Sequence, residues 1–230
     1  MKSQLLLSLA LITAILSLGT IPAQAEDKVF TESGEIVDGD VWVLVDIYND
    51  DTIVDMSGGM CDFITTHDKS TLNIIGGQAQ VGAQDFSIIN ISSGSLSGAH
   101  AYNNGKVNFS GNAISLRLAA VDYGIANMTG GVVEYLAAGD SGTLNIYSGV
   151  VTDSLYASGN SIVNVFGHDF YYDPSGGMSD GGQLTGFWLD DTSLSIDLYG
   201  VNTYSHINLI PEPSMLLLLG LGSVVIRRKK

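Results

Sequence analysis

One motif recurs through the middle of the chain. STLNIIGG, starting at Ser70, returns as GTLNIYSG at Gly142; SIINISSG, KVNFSGN and IANMTGG lie between, and TIVDMSGG and SIVNVFG lie outside. Aligning the polar residue of each copy gives Asp55, Asn73, Asn90, Asn108, Asn127, Asn145 and Asn164, spaced 18, 17, 18, 19, 18 and 19 residues apart. A sustained period of this length marks a repeat architecture, in which each unit buries its apolar face only against its neighbours.

The neighbouring columns keep the same register. One residue before each anchor stand Val54, Leu72, Ile89, Val107, Ala126, Leu144 and Val163, and one after it Met56, Ile74, Ile91, Phe109, Met128, Ile146 and Val165. Alternate residues of a strand share a face, so these two columns point inward and the anchor points out. Six after the anchor comes a third mainly apolar column: Cys61, Ala79, Leu96, Ile114, Val133, Val151 and Phe170. A further pair precedes the next anchor by nine and seven residues, from Ile64 and Thr66 to Leu155 and Ala157. Glycines three and four after the anchor mark a corner.

Three short apolar segments per unit, separated by turns, predict an all-β fold: a single-stranded parallel β-helix of about seven coils. Right-handed winding is expected from strand twist and crossover preference. An antiparallel sandwich competes, but the columns repeat by whole coil and no two-residue Asn-Gly or Asp-Gly turn joins successive copies. Open solenoid ends need covering. Asp38–Tyr48 is a first coil or cap, and the repeat fails after Asn164. There GHDFYYDPSGGMSDGGQ leads to two strands turning at Asp190 and Asp191, with Phe187, Leu189, Ile196 and Leu198 as packing candidates.

Five residues before the anchors stand Asp50, Asp68, Asp85, Asn103, Asp122, Asp140 and Gly159. Two readings stand. Asp50, Asp68, Asp85, Asp122 and Asp140 form a row of weak Ca²⁺ sites, because a hard cation takes carboxylate oxygens and offsets like-charge repulsion. Alternatively the column is turn chemistry, in which Asp or Asn bonds its own backbone; the glycine-aspartate nonapeptide of calcium β-rolls is missing. The anchor asparagines are expected to stack between coils, each amide donating to the next. That stacking accounts for them better than the glycosylation triplets beginning at Asn90, Asn108 and Asn127 do.

Catalytic signals are sparse. Glu134 and Asp153 are candidate neighbours on adjacent coils and would be the acids of a polysaccharide-active β-helix enzyme, a lyase or hydrolase. The four histidines, His67, His100, His168 and His206, share no metal-ligand spacing, and Cys61 reads as a small core residue. The outward column two after the anchor (Ser57, Ile75, Ser92, Ser110, Thr129, Tyr147, Phe166) is too mixed for a flat ice-binding face.

Charge and the two ends concern location. Between Glu26 and Ile210 four cations stand against 23 carboxylates, a net of −19, so nucleic acid is not an expected partner. At the N-terminus, Lys2, an apolar run from Leu5 to Leu18, and small residues Ala23 and Ala25 form a secretory signal helix for signal peptidase. The chain closes with Pro211-Glu212-Pro213, 13 uncharged residues from Ser214 to Ile226, and Arg227-Arg228-Lys229-Lys230. As a helix this apolar run spans about 20 Å against a hydrocarbon core of about 30 Å. It suits transient insertion in a membrane, with the four cations held on the cytoplasmic side.

That order of elements resembles the PEP-CTERM sorting signal of Gram-negative-type bacteria. The resemblance implies recognition of the tail at the inner membrane by an exosortase, a transpeptidase-like membrane enzyme, and delivery of the body to the cell surface or extracellular polysaccharide matrix. The divisions expected are a signal peptide at 1–25, a first coil at 26–48, repeats at 49–170, a C-terminal cap at 171–210 and a sorting segment at 211–230. The function expected is structural or adhesive and not enzymatic, with glycan-active, calcium-binding and ice-binding solenoids as alternatives. No cofactor is expected beyond Ca²⁺.

Overall fold

The inward columns around each anchor make one short strand, and the apolar stretch beyond the glycine corner makes a longer one. The computed structural model describes residues 26–177 and 180–211 and winds these strands into a parallel β-solenoid of about eight turns. The signal and C-terminal apolar helices expected from the sequence fall outside the described residues, among which no helix is long and apolar enough to cross a membrane.

In chain order the strands begin β1 (Glu26–Phe30), β2 (Gly34–Ile36), β3 (Val41–Ile47), β4 (Ile53–Met56), β5 (Met60–Thr66) and β6 (Thr71–Ile74). They continue with β7 (Gln78–Ala83), β8 (Ile88–Ile91), β9 (Ser95–Ala101), β10 (Lys106–Phe109) and β11 (Ile114–Ala120). The longer β12 (Ile125–Ala138), β13 (Thr143–Ala157) and β14 (Ile162–Asp173) follow, then β15 (Asp180–Trp188), β16 (Ser193–Tyr199) and β17 (Ile207–Pro211).

One face stacks β2, β4, β6, β8 and β10, then the first parts of β12, β13 and β14, and finally β17. The other stacks β1, β3, β5, β7, β9 and β11, the later parts of β12 and β13, and β16. Nine strands at an inter-strand spacing of about 4.8 Å make a rod about 38 Å long. Every pairing on these faces is parallel, which excludes the sandwich. Among the described residues antiparallel pairing occurs only among β14, β15 and β16.

The core is the one drawn by the columns. Val54, Met56, Leu72, Ile89, Phe109, Met128, Leu144 and Val165 are sealed from solvent, as are Ile64, Thr66, Val81, Leu118 and Leu155 on the second face. Fully burying a side chain of this size stabilises by about 1.5–3 kcal/mol, and each coil supplies several.

Four expectations need correction. Ile114 does not enter the core column: Ser115 pairs between Leu96 and Val133 and is buried, while Ile114 is about half exposed. The extra residue of that 19-residue coil lies in the corner before β11, where Gly111 takes φ +62°, and it moves the next strand on by one. The repeat also extends beyond seven anchors, because Glu35 pairs with Asp55 at one end and Asn208 with Asn164 at the other. Between Asn164 and Asn208 the chain leaves the helix as the antiparallel excursion β14–β15–β16, so Phe170 falls in the irregularity of the β14–β15 ladder between His168 and Tyr171 and not below Val151. In that excursion Trp188, Leu184, Leu194, Ile196 and Leu198 face in, whereas Phe187 and Leu189 are each 41% exposed.

Candidate functional site

The anchor column is a continuous ladder of side-chain amides. Asn73 Nδ2 donates to Asp55 Oδ1 at 2.8 Å, and Asn90, Asn108, Asn127 and Asn145 each donate to the residue one coil before them, also at 2.8 Å. Asn164 donates to Asn145 at 2.7 Å and Asn208 to Asn164 at 3.1 Å. Donation thus runs toward the N-terminal end. Asp55 fixes that direction, because an ionised carboxylate only accepts and leaves its neighbour no choice but to donate. At about 1 kcal/mol net for each hydrogen bond, the ladder holds the coils in register on the solvent side as the core does inside.

The acidic column lies at the opposite corner. Asp68, Asp85, Asn103, Asp122 and Asp140 take φ between +53° and +57° and Gly159 +71°, each at the first central position of a turn closed by a backbone hydrogen bond such as Ser70 N to His67 O. Left-handed backbone costs most L-residues roughly 1–2 kcal/mol and is tolerated best by Gly, Asn and Asp, and that set fills the column. Asp50 departs from the pattern: Asn49 and Asp51 carry the positive φ there, and the Asp50 carboxylate pairs with Lys69. Among the described residues no group of three or more His, Cys, Asp or Glu is arranged to hold a metal ion.

Glu134 and Asp153 do come together, on neighbouring strands between the pairs Val133–Val151 and Tyr135–Ser154. The two carboxylates lie near the Tyr135 phenol and, Asp153 foremost, push its pKa up to about 12. The histidines stay apart. His67 stacks on Tyr48 at 4.4 Å and lies 3.3 Å from Asp46, while His100 Nδ1 meets the Tyr102 hydroxyl at 2.6 Å. Burial, and then the charge of Arg117, hold His100 below its ordinary pKa. His168 lies between Asp169 and Asp191, and its hydrogen bond to Asp169 leads the causes that raise its pKa. Cys61 is buried beside Ala79, as expected.

Beside the Glu134–Asp153 pair the outer surface of the second face holds a groove of about 340 Å³, lined by Arg117, Tyr135, Ala137, Ser154, Tyr156 and Tyr199. These residues occupy two adjacent outward columns. Arg117, Tyr135, Ser154 and Asp197 follow one another on β11, β12, β13 and β16, and Ala119, Ala137, Tyr156 and Tyr199 form the second column. Ala119 and Ala137 in the second column are 1% and 7% exposed, and Ala137 forms the floor between taller side chains. The rings of Tyr156 and Tyr199 meet edge to face at 6.0 Å. The repeat pattern missed all of these lining residues, although the two columns were present beside Leu136 and Ala138.

At the C-terminal end, β17 lies against β14 with Asn208 under Asn164 and Pro211 opposite Gly167. Proline has no N–H to offer and suits the end of an edge strand. A family model for the PEP-CTERM protein-sorting motif matches residues 209–230. The chain carries a PEP-CTERM sorting motif. Such a motif implies export, a membrane-anchored sorting step and processing by an exosortase-type enzyme. The motif begins inside β17, so the last coil of the rod runs into it without an intervening linker. Of its residues, Glu212 and Pro213 and the cations Arg227, Arg228, Lys229 and Lys230 lie outside the described residues, as do Ala23 and Ala25 of the signal cleavage site. No curated protein and no solved structure matches the chain.

Proposed function

We propose that this is an exported component of the cell surface or extracellular matrix whose solenoid body is structural or adhesive and not catalytic. The PEP-CTERM motif supports the route: export, sorting at a membrane and action of an exosortase-type enzyme. The observation that carries the structural role is the amide ladder, which runs uninterrupted from Asp55 to Asn208 and makes the body a stiff rod attached by its last strand to the sorting tail. A strongly anionic surface keeps such a rod soluble and apart from its copies after release.

Fractionation of the native host with intact-mass analysis tests this reading. The expected product lies outside the inner membrane and lacks both the signal peptide and the segment beyond the Pro-Glu-Pro triplet. Retention of the full-length chain in the cytoplasm would overturn it. A second reading, a glycan-active enzyme, is favoured by one observation, the juxtaposition of Glu134 and Asp153 on the neighbouring strands β12 and β13. Release of new reducing ends or unsaturated products from soluble polysaccharides, lost in Glu134→Gln or Asp153→Asn, would establish it in place of the first.

A further inference from the structure

The groove at Tyr135, Tyr156 and Tyr199 lies outside both the apolar core and the amide ladder. Its aromatic side chains are 42%, 43% and 54% exposed, on a fold that has a buried position for apolar residues in every coil. Aromatic rings held partly exposed beside fixed polar groups are the usual furniture of a binding site, since they present an apolar face and a polar rim together.

The polar groups are of both kinds. Arg117 is exposed, forms no ion pair among the described residues, and offers up to five N–H donors. Along the same column follow the Tyr135 and Ser154 hydroxyls and the Asp197 carboxylate, which accepts from Gln183 Nε2 at 2.7 Å, while the Asp153 and Glu134 carboxylates lie beside the column next to Tyr135. The column thus runs from a donor at Arg117 through two hydroxyls to an acceptor at Asp197, over four successive strands and about 14 Å along the rod. The Tyr156 and Tyr199 rings stand at one end and the alanine floor continues from them toward Arg117.

We infer that this groove binds an uncharged polysaccharide lying along the rod axis, with Tyr156 and Tyr199 stacking on the apolar faces of sugar rings and Arg117, Ser154 and the carboxylates taking the hydroxyls. Charge selects the class. A body of net −19 with one cation in the groove repels uronates and sulfated glycans. A chain of neutral polyols uses both the donors and the acceptors and brings no charge of its own. The inference rests on the surface or matrix role proposed above and gives that role a ligand.

Affinity electrophoresis of the purified protein in gels containing galactomannan, mixed-linkage β-glucan, dextran or alginate tests it, with polylysine as a cationic control. At least one uncharged glycan is expected to retard the protein. Tyr156→Ala combined with Tyr199→Ala should weaken that retardation at least about tenfold in apparent Kd, with the melting curve of the double variant checked alongside; Arg117→Ala gives a second readout away from the rings. Retardation by no uncharged glycan, by alginate as strongly, by polylysine only, or to the same degree in all variants overturns the inference. The same samples are assayed for new reducing ends. Retardation that depends on the tyrosines while the glycan is also shortened in a Glu134-dependent way leaves the groove standing and overturns the non-catalytic reading. Loss of retardation leaves the export and scaffold reading to the fractionation experiment.

Discussion

Asn127→Asp and Asp55→Asn exchange the same two side chains at two rungs of one ladder, and the direction of hydrogen bonding predicts opposite outcomes. Asn127 donates to Asn108 Oδ1 and accepts from Asn145 Nδ2, both at 2.8 Å. A carboxylate at 127 still accepts from Asn145 but sets an anionic oxygen against the Asn108 oxygen, with no proton between them. One lost bond costs about 1 kcal/mol and an opposed acceptor about 1–3 more, discounted because the rung is only half-buried. The expected loss is about 2 kcal/mol at pH 7, or roughly 4–8 °C in Tm for a body of this size. Protonation restores the donor, so the folded-state pKa of the new carboxyl is raised above the unfolded value of about 3.9. The folded variant then binds more protons than the unfolded chain, and its stability relative to wild type falls as pH rises through that window. Asp55→Asn keeps the acceptor for Asn73 and aims a new N–H toward Glu35, its partner in register; its stability should lie within about 0.5 kcal/mol of wild type or exceed it. Thermal unfolding followed by circular dichroism from pH 4 to 8 decides the matter. If Asn127→Asp matches wild type at pH 7, or Asp55→Asn proves the more damaging, the directed ladder is wrong.

Three further outcomes follow from positions already described. A methyl added at Gly142 would collide with the Ala120 carbonyl oxygen in the preceding coil, so Gly142→Ala should lower the urea midpoint by the equivalent of about 2 kcal/mol or more, whereas Ser141→Ala next to it should be nearly silent. If the acidic corner serves the turn, Asp85→Asn and Asp122→Asn keep wild-type melting temperatures and millimolar Ca²⁺ shifts none of the three proteins. A shift of several degrees that the variants lose would instead support the calcium reading. Burial, reinforced by Asp40 and Asp62, pushes the Cys61 thiol up to about 11, and so a thiol-disulfide reagent at pH 8 should label it only after denaturation; rapid labelling of the native protein would contradict its place in the core.

The coil period, the inward columns and the amide ladder were legible because each depends on a residue type that returns every 17 to 19 positions. What escaped lay where that return is broken. The single extra residue near Gly111 turned Ile114 out and Ser115 in, since a slip of one reverses every side chain of a strand. Glu35 and Asn208 were overlooked because the first stands 20 residues before Asp55, outside the 17-to-19 spacing, and the second 44 residues after Asn164. The groove was hidden for a similar reason. Tyr135 pairs with Ser154 only after a bulge between Val133 and Tyr135, and Tyr199 is carried in by the cap hairpin and belongs to no repeat. The Glu134–Asp153 neighbourhood was readable from spacing, but the phenol beside them was not.

The amide ladder also makes the rod's length adjustable. Each asparagine from Asn73 to Asn164 gives one hydrogen bond and takes one, so a duplicated or deleted coil between Asp55 and Asn208 leaves no rung orphaned. Extension therefore comes in whole increments of about 4.8 Å, with the first coil, the C-terminal excursion and the exit strand unaltered. In relatives built on the same plan, the length of the body would be a count of copies, open to change by unequal recombination without any redesign of its ends.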